Sequence, residues 1–148
     1  MPTAPSARRV AVLSDVHGNA VALEAVLAEL PAVGPDLVVF GGDLTWGPLP
    51  EDTLALLDRL SVQALFVRGT AERALLEPSP EPSDRERWLL ERHSVEALAF
   101  LAGFAERVSV EIDGLGPVCF SHGSPRSDEE LVTPETPEAR IRALAAGV

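Results

Sequence analysis

The fold of this chain is decided by the stretch VAVLSDVHGN, which occupies residues 10–19. Its first four residues form a short apolar run typical of a buried strand, so the polar residues follow at the carboxyl end of that strand. Asp15 and His17 are two positions apart, and an extended backbone would point both side chains the same way. A carboxylate beside an imidazole at a strand end is a suitable pair of ligands for a divalent metal ion.

A second polar turn follows the next apolar run in the same way. The run Leu37–Phe40 is followed, after two glycines, by Asp43. Between the two runs, Ala20–Leu30 has the apolar spacing of an amphipathic helix, with Asn19 as its N-cap. We expect Pro31 to end this helix. The pattern therefore predicts a strand, a helix and a second strand, with an acidic residue after each strand.

The rest of the chain continues as a mixture of helices and strands. We predict further strands at 62–67, 108–112 and 118–120, and further helices at 50–60, 84–92 and 94–104, a short one ending at Leu76, and one from Thr136 to a stop at Gly147. Because the first three strands alternate with helices, they should be parallel, and their carboxyl ends should meet at one sheet edge. The 148 residues of the chain fit a single α/β domain, residues 1–148, with a substantial core.

Four loops at predicted strand ends bring polar residues to one region. They contribute Asp15 and His17, then Asp43, then Thr70, and finally His122. Aspartate and histidine are suitable ligands for manganese, iron, nickel or zinc. A central aspartate can bridge two ions, and two such ions can clamp a phosphoryl group. The arrangement therefore predicts a site for divalent metal ions.

The composition argues against several other classes of protein. The formal net charge is −11, and such a surface repels nucleic-acid phosphates, so we expect no non-specific nucleic-acid binding. No apolar run approaches the roughly 20 residues of a membrane span, and we identify no signal peptide. The single cysteine, Cys119, excludes an internal disulfide and fits a reducing compartment. We expect a cytoplasmic protein with no membrane partner.

These motifs resemble those of the calcineurin-like metallophosphoesterase family, and the resemblance covers nearly the whole chain. The sequences DVHGN at residues 15–19 and GDL at residues 42–44 are similar to the first two motifs of that family. His122, within SHGSP, resembles the fourth motif. The GP pair at residues 47–48 and the sequence HGSPR ending at Arg126 are similar to the small bacterial phosphodiesterase branch.

The resemblance implies a calcineurin-like sandwich of β-sheet layers flanked by helices. It also implies that Asp15 and His17 bind a first metal, that Asp43 bridges two metals, and that His122 binds the second. A hydroxide held between the ions would attack phosphorus in line and expel an alcohol. The substrate would be a small-molecule phosphodiester or phosphomonoester.

Two further residues are candidates for contact with the phosphate of the substrate. Asn19 follows the first motif, and Arg126 ends the fourth. Each also has a simpler interpretation, because asparagine is a good helix N-cap and an arginine in a loop is commonly solvated. Both interpretations stay open for each residue.

The chain departs from the family pattern in two places. Thr70 and Ala71 stand where the third motif has asparagine and histidine. A hydroxyl is a weaker metal ligand than an amide oxygen, and alanine cannot serve as a general acid. The fifth motif, Gly-His-x-His, is absent before Val148, so we expect the sandwich to lack its last strands. One ion should therefore bind firmly and a second one weakly.

These departures leave three interpretations of function. The first is an active metal-dependent phosphoesterase, with phosphodiesters as the preferred substrates. The second is a catalytically degenerate relative that binds metal or a phosphorylated ligand without turnover. The third is a piece of an active enzyme whose sequence continues beyond Val148. The absent strands would leave a sheet edge unpaired, and we therefore also expect a homodimer.

Overall fold

The structure is a computed structural model that describes residues 4–146 and residue 148. These described residues form two three-stranded β-sheets and six helices. One sheet has the order β1 (Ser6–Ala7), β5 (Arg107–Ile112) and β6 (Gly116–Ser121). The other has the order β2 (Val10–Leu13), β3 (Leu37–Phe40) and β4 (Gln63–Phe66). The helices are α1 (Ala20–Val33), α2 (Pro50–Leu57), α3 (Thr70–Leu76), α4 (Asp84–Leu90), α5 (Val95–Ala102) and α6 (Glu138–Leu144). The predicted stop at Gly147 lies outside the described residues.

The sheet formed by β2, β3 and β4 is parallel throughout. Val10 pairs with Leu37 and Leu13 with Phe40, and Phe40 in turn pairs with Phe66. All four residues of β3 are buried, as expected for the central strand of a parallel sheet that is covered on both faces. The prediction of three parallel strands with a common carboxyl edge is confirmed.

A stack of aromatic rings joins this sheet to α5 and the segment after it. The ring of Phe66 lies 5.1 Å from that of Phe40 and 4.8 Å from that of Phe104, both nearly parallel. Phe100 meets Phe66 and Phe104 edge to face. Beside these rings, Leu101 of α5 is fully buried. Aromatic pairs of this kind contribute beyond their buried area, so α5 is held firmly against the sheet.

The other sheet combines the predicted hairpin with a strand that the sequence pattern did not indicate. β5 and β6 are antiparallel, and the turn between them contains Gly114. The additional strand, β1, has only two residues and pairs in parallel with β5. Two residues are too few for a recognisable alternation of apolar and polar positions, so this strand depends on its tertiary partner. None of the described helices is long and apolar enough to cross a membrane.

Helix α1 corrects the expectation for Pro31. The helix includes Pro31 and continues to Val33, and Gly34 then adopts the left-handed conformation. The Gly34 N–H donates to the Leu30 carbonyl at 2.8 Å. Because Pro31 lies in the last turn, its missing N–H removes a single hydrogen bond and the helix tolerates it.

The buried position of Leu101 generates a test of the core. Leu101→Ala should lower the free energy of unfolding by about 2–5 kcal/mol, because truncation leaves a cavity that the packed rings cannot fill. Leu115→Ala is a matched control, since Leu115 is 74% exposed at the hairpin turn and should change stability by less than about 0.5 kcal/mol. Urea denaturation measures both values. Equal losses in the two variants would contradict the packing described here.

Candidate metal centre

The loops that follow β2 and β3 bring three predicted ligands together. His17 Nε2 lies 3.7 Å from Asp15 Oδ1 and 3.6 Å from Asp43 Oδ2. Each of the three residues offers one ligand atom, and these three atoms all lie within 4.8 Å of one another. The first predicted metal site is therefore assembled from residues 28 positions apart in sequence, because the parallel strands end side by side.

His122 approaches the same aspartate from the other sheet. It follows β6 directly, and its Nε2 lies 3.7 Å from Asp43 Oδ2. The side chains of Asp43 and His122 are 8% and 14% exposed, whereas that of His17 is 46% exposed. A single carboxylate oxygen thus faces two imidazoles, which is the placement expected of a residue that bridges two ions.

Hydrogen bonds orient both imidazoles for metal binding. His122 Nδ1 lies 2.8 Å from the Gly41 carbonyl oxygen, and His17 Nδ1 lies 3.3 Å from the Trp46 carbonyl oxygen. A carbonyl can only accept, so each Nδ1 donates to it, and in the neutral imidazole Nε2 is then the nitrogen with the lone pair. Metal-binding histidines are commonly fixed in this tautomer by such a partner.

The distances and the donor types fit divalent metal ions. Two ligands bound at about 2.1 Å to one ion lie about 3–3.5 Å apart. The separations of 3.6 and 3.7 Å in the site require only a small contraction to reach that range. Carboxylate and imidazole donors are suitable for manganese, iron, nickel and zinc, so the donor types alone do not identify the metal.

The backbone is strained at the three residues of the first site. Asp15, His17 and Asp43 have φ angles of 57°, 51° and 57°, and within the described residues they are the non-glycine residues with positive φ. Such conformations cost about 1–3 kcal/mol each and persist where surrounding contacts over-determine them. The contacts here include the Asp15 N–H to the Gly42 carbonyl at 3.1 Å and the His17 N–H to the Asp43 carbonyl at 2.9 Å. The strain coincides with the predicted ligands, which supports a functional role for them.

Glu72 is a positioning residue that the sequence analysis missed. Its side chain is fully buried, and Oε2 accepts the N–H groups of Asp43 at 2.9 Å and Gly69 at 2.8 Å, while Oε1 accepts the Leu44 N–H at 2.8 Å. One carboxylate therefore holds the turn after β3 against the turn after β4. The signal available in the sequence was the glutamate three positions after Gly69, a spacing typical of a capping box.

Thr70 and Ala71 contact Asp43 from the first turn of α3. The Thr70 hydroxyl lies 3.2 and 3.3 Å from the two Asp43 oxygens, and the Ala71 N–H donates to Asp43 Oδ1 at 2.8 Å. Asp43 Oδ1 accepts from the Ala71 N–H, and Oδ2, which the Thr70 hydroxyl also approaches, faces the imidazoles. The structure places Thr70 beside the site, and its role as a metal ligand stays a prediction.

The two predicted substrate contacts have local partners. Asn19 Oδ1 accepts the Ala22 N–H at 3.0 Å, so Asn19 caps α1. The Arg126 guanidinium donates to both carboxylate oxygens of Glu130, at 2.8 and 2.6 Å. This pairing, with a further hydrogen bond from Ser124, lowers the pKa of Glu130 to about 2. Contact of Asn19 or Arg126 with a substrate stays a prediction.

A network of ion pairs holds the loop after His122 against α3. Arg73 donates to Asp128 Oδ2 at 2.7 Å and to Glu129 Oε1 at 2.7 Å. The hydrogen bond from Arg73 lowers the pKa of Asp128, and the two acids together raise the pKa of Arg73. The segment that follows His122 is therefore tied to the helix that also contacts Asp43.

The third histidine of the chain lies away from the metal ligands. His93 is buried, with Nδ1 2.8 Å from the Leu89 carbonyl oxygen and Nε2 2.9 Å from the Thr45 hydroxyl. Its Nδ1 carries the proton, so the Thr45 hydroxyl donates to Nε2. His93 therefore anchors the loop that follows Asp43 to the end of α4.

The chain is similar to one protein family and to two solved structures. Residues 8–139 match the family described as calcineurin-like phosphoesterase. A metallophosphoesterase from Sphaerobacter thermophilus is 30% identical with a TM-score of 0.60, and the match covers 82% of this chain and 49% of that chain. A hypothetical protein from Pyrococcus horikoshii OT3 is 19% identical with a TM-score of 0.77, covering 94% of this chain and 64% of that chain. This chain thus spans less than two thirds of the length of either structure. No curated protein sequence gives a significant match.

The hydrogen bonds of Glu72 generate a test of the site's support. Glu72→Gln should lower the free energy of unfolding by about 3 kcal/mol, because an amide group cannot accept at both positions and leaves a buried backbone N–H without an acceptor. Glu96→Gln is the matched control, since Glu96 is exposed on α5 and should be nearly neutral. Urea denaturation of both variants gives the comparison. A Glu72→Gln protein as stable as the control would show that these hydrogen bonds contribute little.

Proposed function

Because the chain belongs to the calcineurin-like phosphoesterase family, we propose that it is a metal-dependent phosphoesterase that acts on phosphodiesters of small molecules. The observation that supports this most directly is the position of Asp43 Oδ2, which lies 3.6 Å from His17 Nε2 and 3.7 Å from His122 Nε2. This places one carboxylate between two imidazoles, each of which presents its Nε2 to the carboxylate. The proposal includes manganese as a suitable metal and a cytoplasmic location, which the free Cys119 supports.

The residues of this chain would bind the ions and position them beside the phosphate of the substrate. Asp15, His17 and Asp43 would hold the first ion, and Asp43 with His122 the second. Bound divalent ions would supply Lewis acidity toward the phosphoryl oxygens and would activate water. The first ion would have three protein ligands, which is usual for a catalytic metal, and the second would have two, with Thr70 nearby.

Among residues 1–148, no imidazole is placed to act as an acid toward the leaving group. The chain contains three histidines: two are candidate metal ligands, and His93 is buried beside Thr45. Ala71, at the start of α3, supplies no proton. Substrates whose alcohol is a stable anion should therefore be favoured, since general acid catalysis is commonly worth about 10²–10⁴ in rate.

A second candidate function is binding without turnover. It is favoured by Thr70 and Ala71, whose hydroxyl and N–H both donate to Asp43 rather than presenting an amide and an imidazole to a substrate. A protein of this kind would retain the first metal and a phosphorylated ligand. Turnover separates this candidate from the first.

Metal content and hydrolysis together test the proposal. The protein with added Mn²⁺ should bind metal and hydrolyse bis-p-nitrophenyl phosphate, and Asp43→Asn should lower kcat by about 10²–10⁴-fold through loss of a charged ligand to both ions. Asp58→Asn is the matched control, because Asp58 is exposed at the end of α2.

The outcomes separate the two candidates. Wild-type turnover no higher than that of Asp43→Asn, with metal still bound, would reject the enzyme and support binding without turnover. Absence of bound metal in the wild-type protein would reject both.

We also propose a homodimer, formed through the open edge of the sheet that contains β1, β5 and β6. In the described part of the chain, β6 pairs with β5 alone, so the other edge of its six residues has no strand beside it. Such an edge is a template for pairing with a second copy. Size exclusion with light scattering should give a mass twice the 15.7 kDa of the chain. A monomeric mass at high protein concentration would overturn this proposal.

A further inference from the structure

We propose that the site selects phosphate esters that carry a planar apolar group, such as an aryl ring or a nucleobase. This inference rests on the proposed function, because it requires the phosphate to be held beside Asp43. The structure contains a cavity of about 350 Å³ that reaches both His17 and Asp43. We refer to it as the apolar cavity; its other lining residues are Trp46, Thr70, Ala71, Ala74, Arg85 and Glu86.

The walls of the apolar cavity suit a flat ring. Trp46 is half-buried and lines the cavity together with His17. Ala71 and Ala74 are three positions apart on α3, so they share one face of the helix. Their methyl groups are small, and the space opposite Trp46 therefore remains open. A ring in this space would have aromatic and methyl neighbours, which favour apolar burial and stacking.

The opposite side of the site has a different chemistry. Beside His122 lies a smaller cavity of about 180 Å³, lined by Arg68, Arg73, Arg126 and acidic residues. Each of these guanidinium groups is already paired with a carboxylate. A phosphate held at Asp43 would therefore have a charged neighbourhood on one side and an apolar one on the other. The apolar group of an ester is therefore better matched to the side of Trp46.

Arg85 adds a cationic group to the apolar side. It is exposed at the start of α4, and no acidic side chain of the described residues pairs with it. A guanidinium can stack on a planar ring and attract a phosphate at the same time. The apolar cavity thus combines a ring-sized space with the Arg85 guanidinium, while the Glu86 carboxylate in the same lining accepts from the Ser83 N–H and hydroxyl. This combination favours an anionic ester with a flat substituent.

Two phosphonates of equal charge test this proposal by binding rather than by activity. Isothermal titration calorimetry of the Mn²⁺-supplemented protein should show that phenylphosphonate binds about tenfold more tightly than methylphosphonate, through burial of the ring. Ala74→Leu should reduce this ratio to about one by filling the cavity. Trp46→Ala is a second variant with the same expectation. Ala99→Leu should keep the wild-type ratio, because Ala99 is exposed on α5, away from the site.

The outcomes keep this inference separate from the proposed function. Equal affinities for the two phosphonates in the wild-type protein, or no binding of either, would overturn the inference. Turnover of bis-p-nitrophenyl phosphate without a phenyl preference would overturn the inference alone and keep the enzyme. A phenyl preference without turnover would support the apolar cavity as a binding site and reject the enzyme.

Discussion

The carboxylate of Glu72 is the interaction on which the site depends. Three backbone N–H groups from two different turns end on its two oxygens, in a place that water does not reach. Buried N–H groups without acceptors are costly, so the turns after β3 and β4 are stable in this form only while Glu72 is in position. Asp43 belongs to one of these turns, and its side chain is then fixed by the Ala71 N–H. The position of Asp43, a candidate metal ligand, therefore depends on Glu72, a buried residue that is not itself a candidate ligand.

The two halves of the candidate metal centre come from different sheets, and glycines allow them to meet. A Cβ on Gly42 would lie 2.7 Å from His122 Nδ1 and 2.8 Å from the Gly69 Cα. Gly42 also has a φ of 99°, which other residues rarely adopt. The loop after β3 can therefore pass between His122 and the start of α3 only without a side chain at this position. The backbones at Gly42 and Gly69 lie close to each other and to the His122 ring, and this close packing brings His122 within reach of Asp43.

Much of this architecture could be predicted from local patterns in the sequence. The apolar runs at Val10–Leu13 and Leu37–Phe40 are strands, and both are followed by the candidate ligands as expected. The spacing of Glu72 from Gly69 indicates at most a capping residue. Its contacts with Asp43 and Leu44 could not be predicted, because they join residues 29 and 28 positions apart and depend on packing. The left-handed backbone at His17 has no local signal either. Pro31 is an error of the opposite kind. The rule that proline ends a helix predicted a stop there, but the last turn of α1 tolerates it.

The hydrogen bonds between the first two loops have a consequence for the dynamics of the centre. His17 and Gly18 donate to the carbonyls of Asp43 and Leu44, and Leu49 donates back to Gly18. The loops at residues 15–18 and 43–49 should consequently open together as one unit in amide hydrogen exchange, with similar protection in both. His122 lies outside this unit and is joined to it through the Gly41 carbonyl, 81 positions away. Transient local unfolding of the hairpin would release His122 while Asp15, His17 and Asp43 stay assembled.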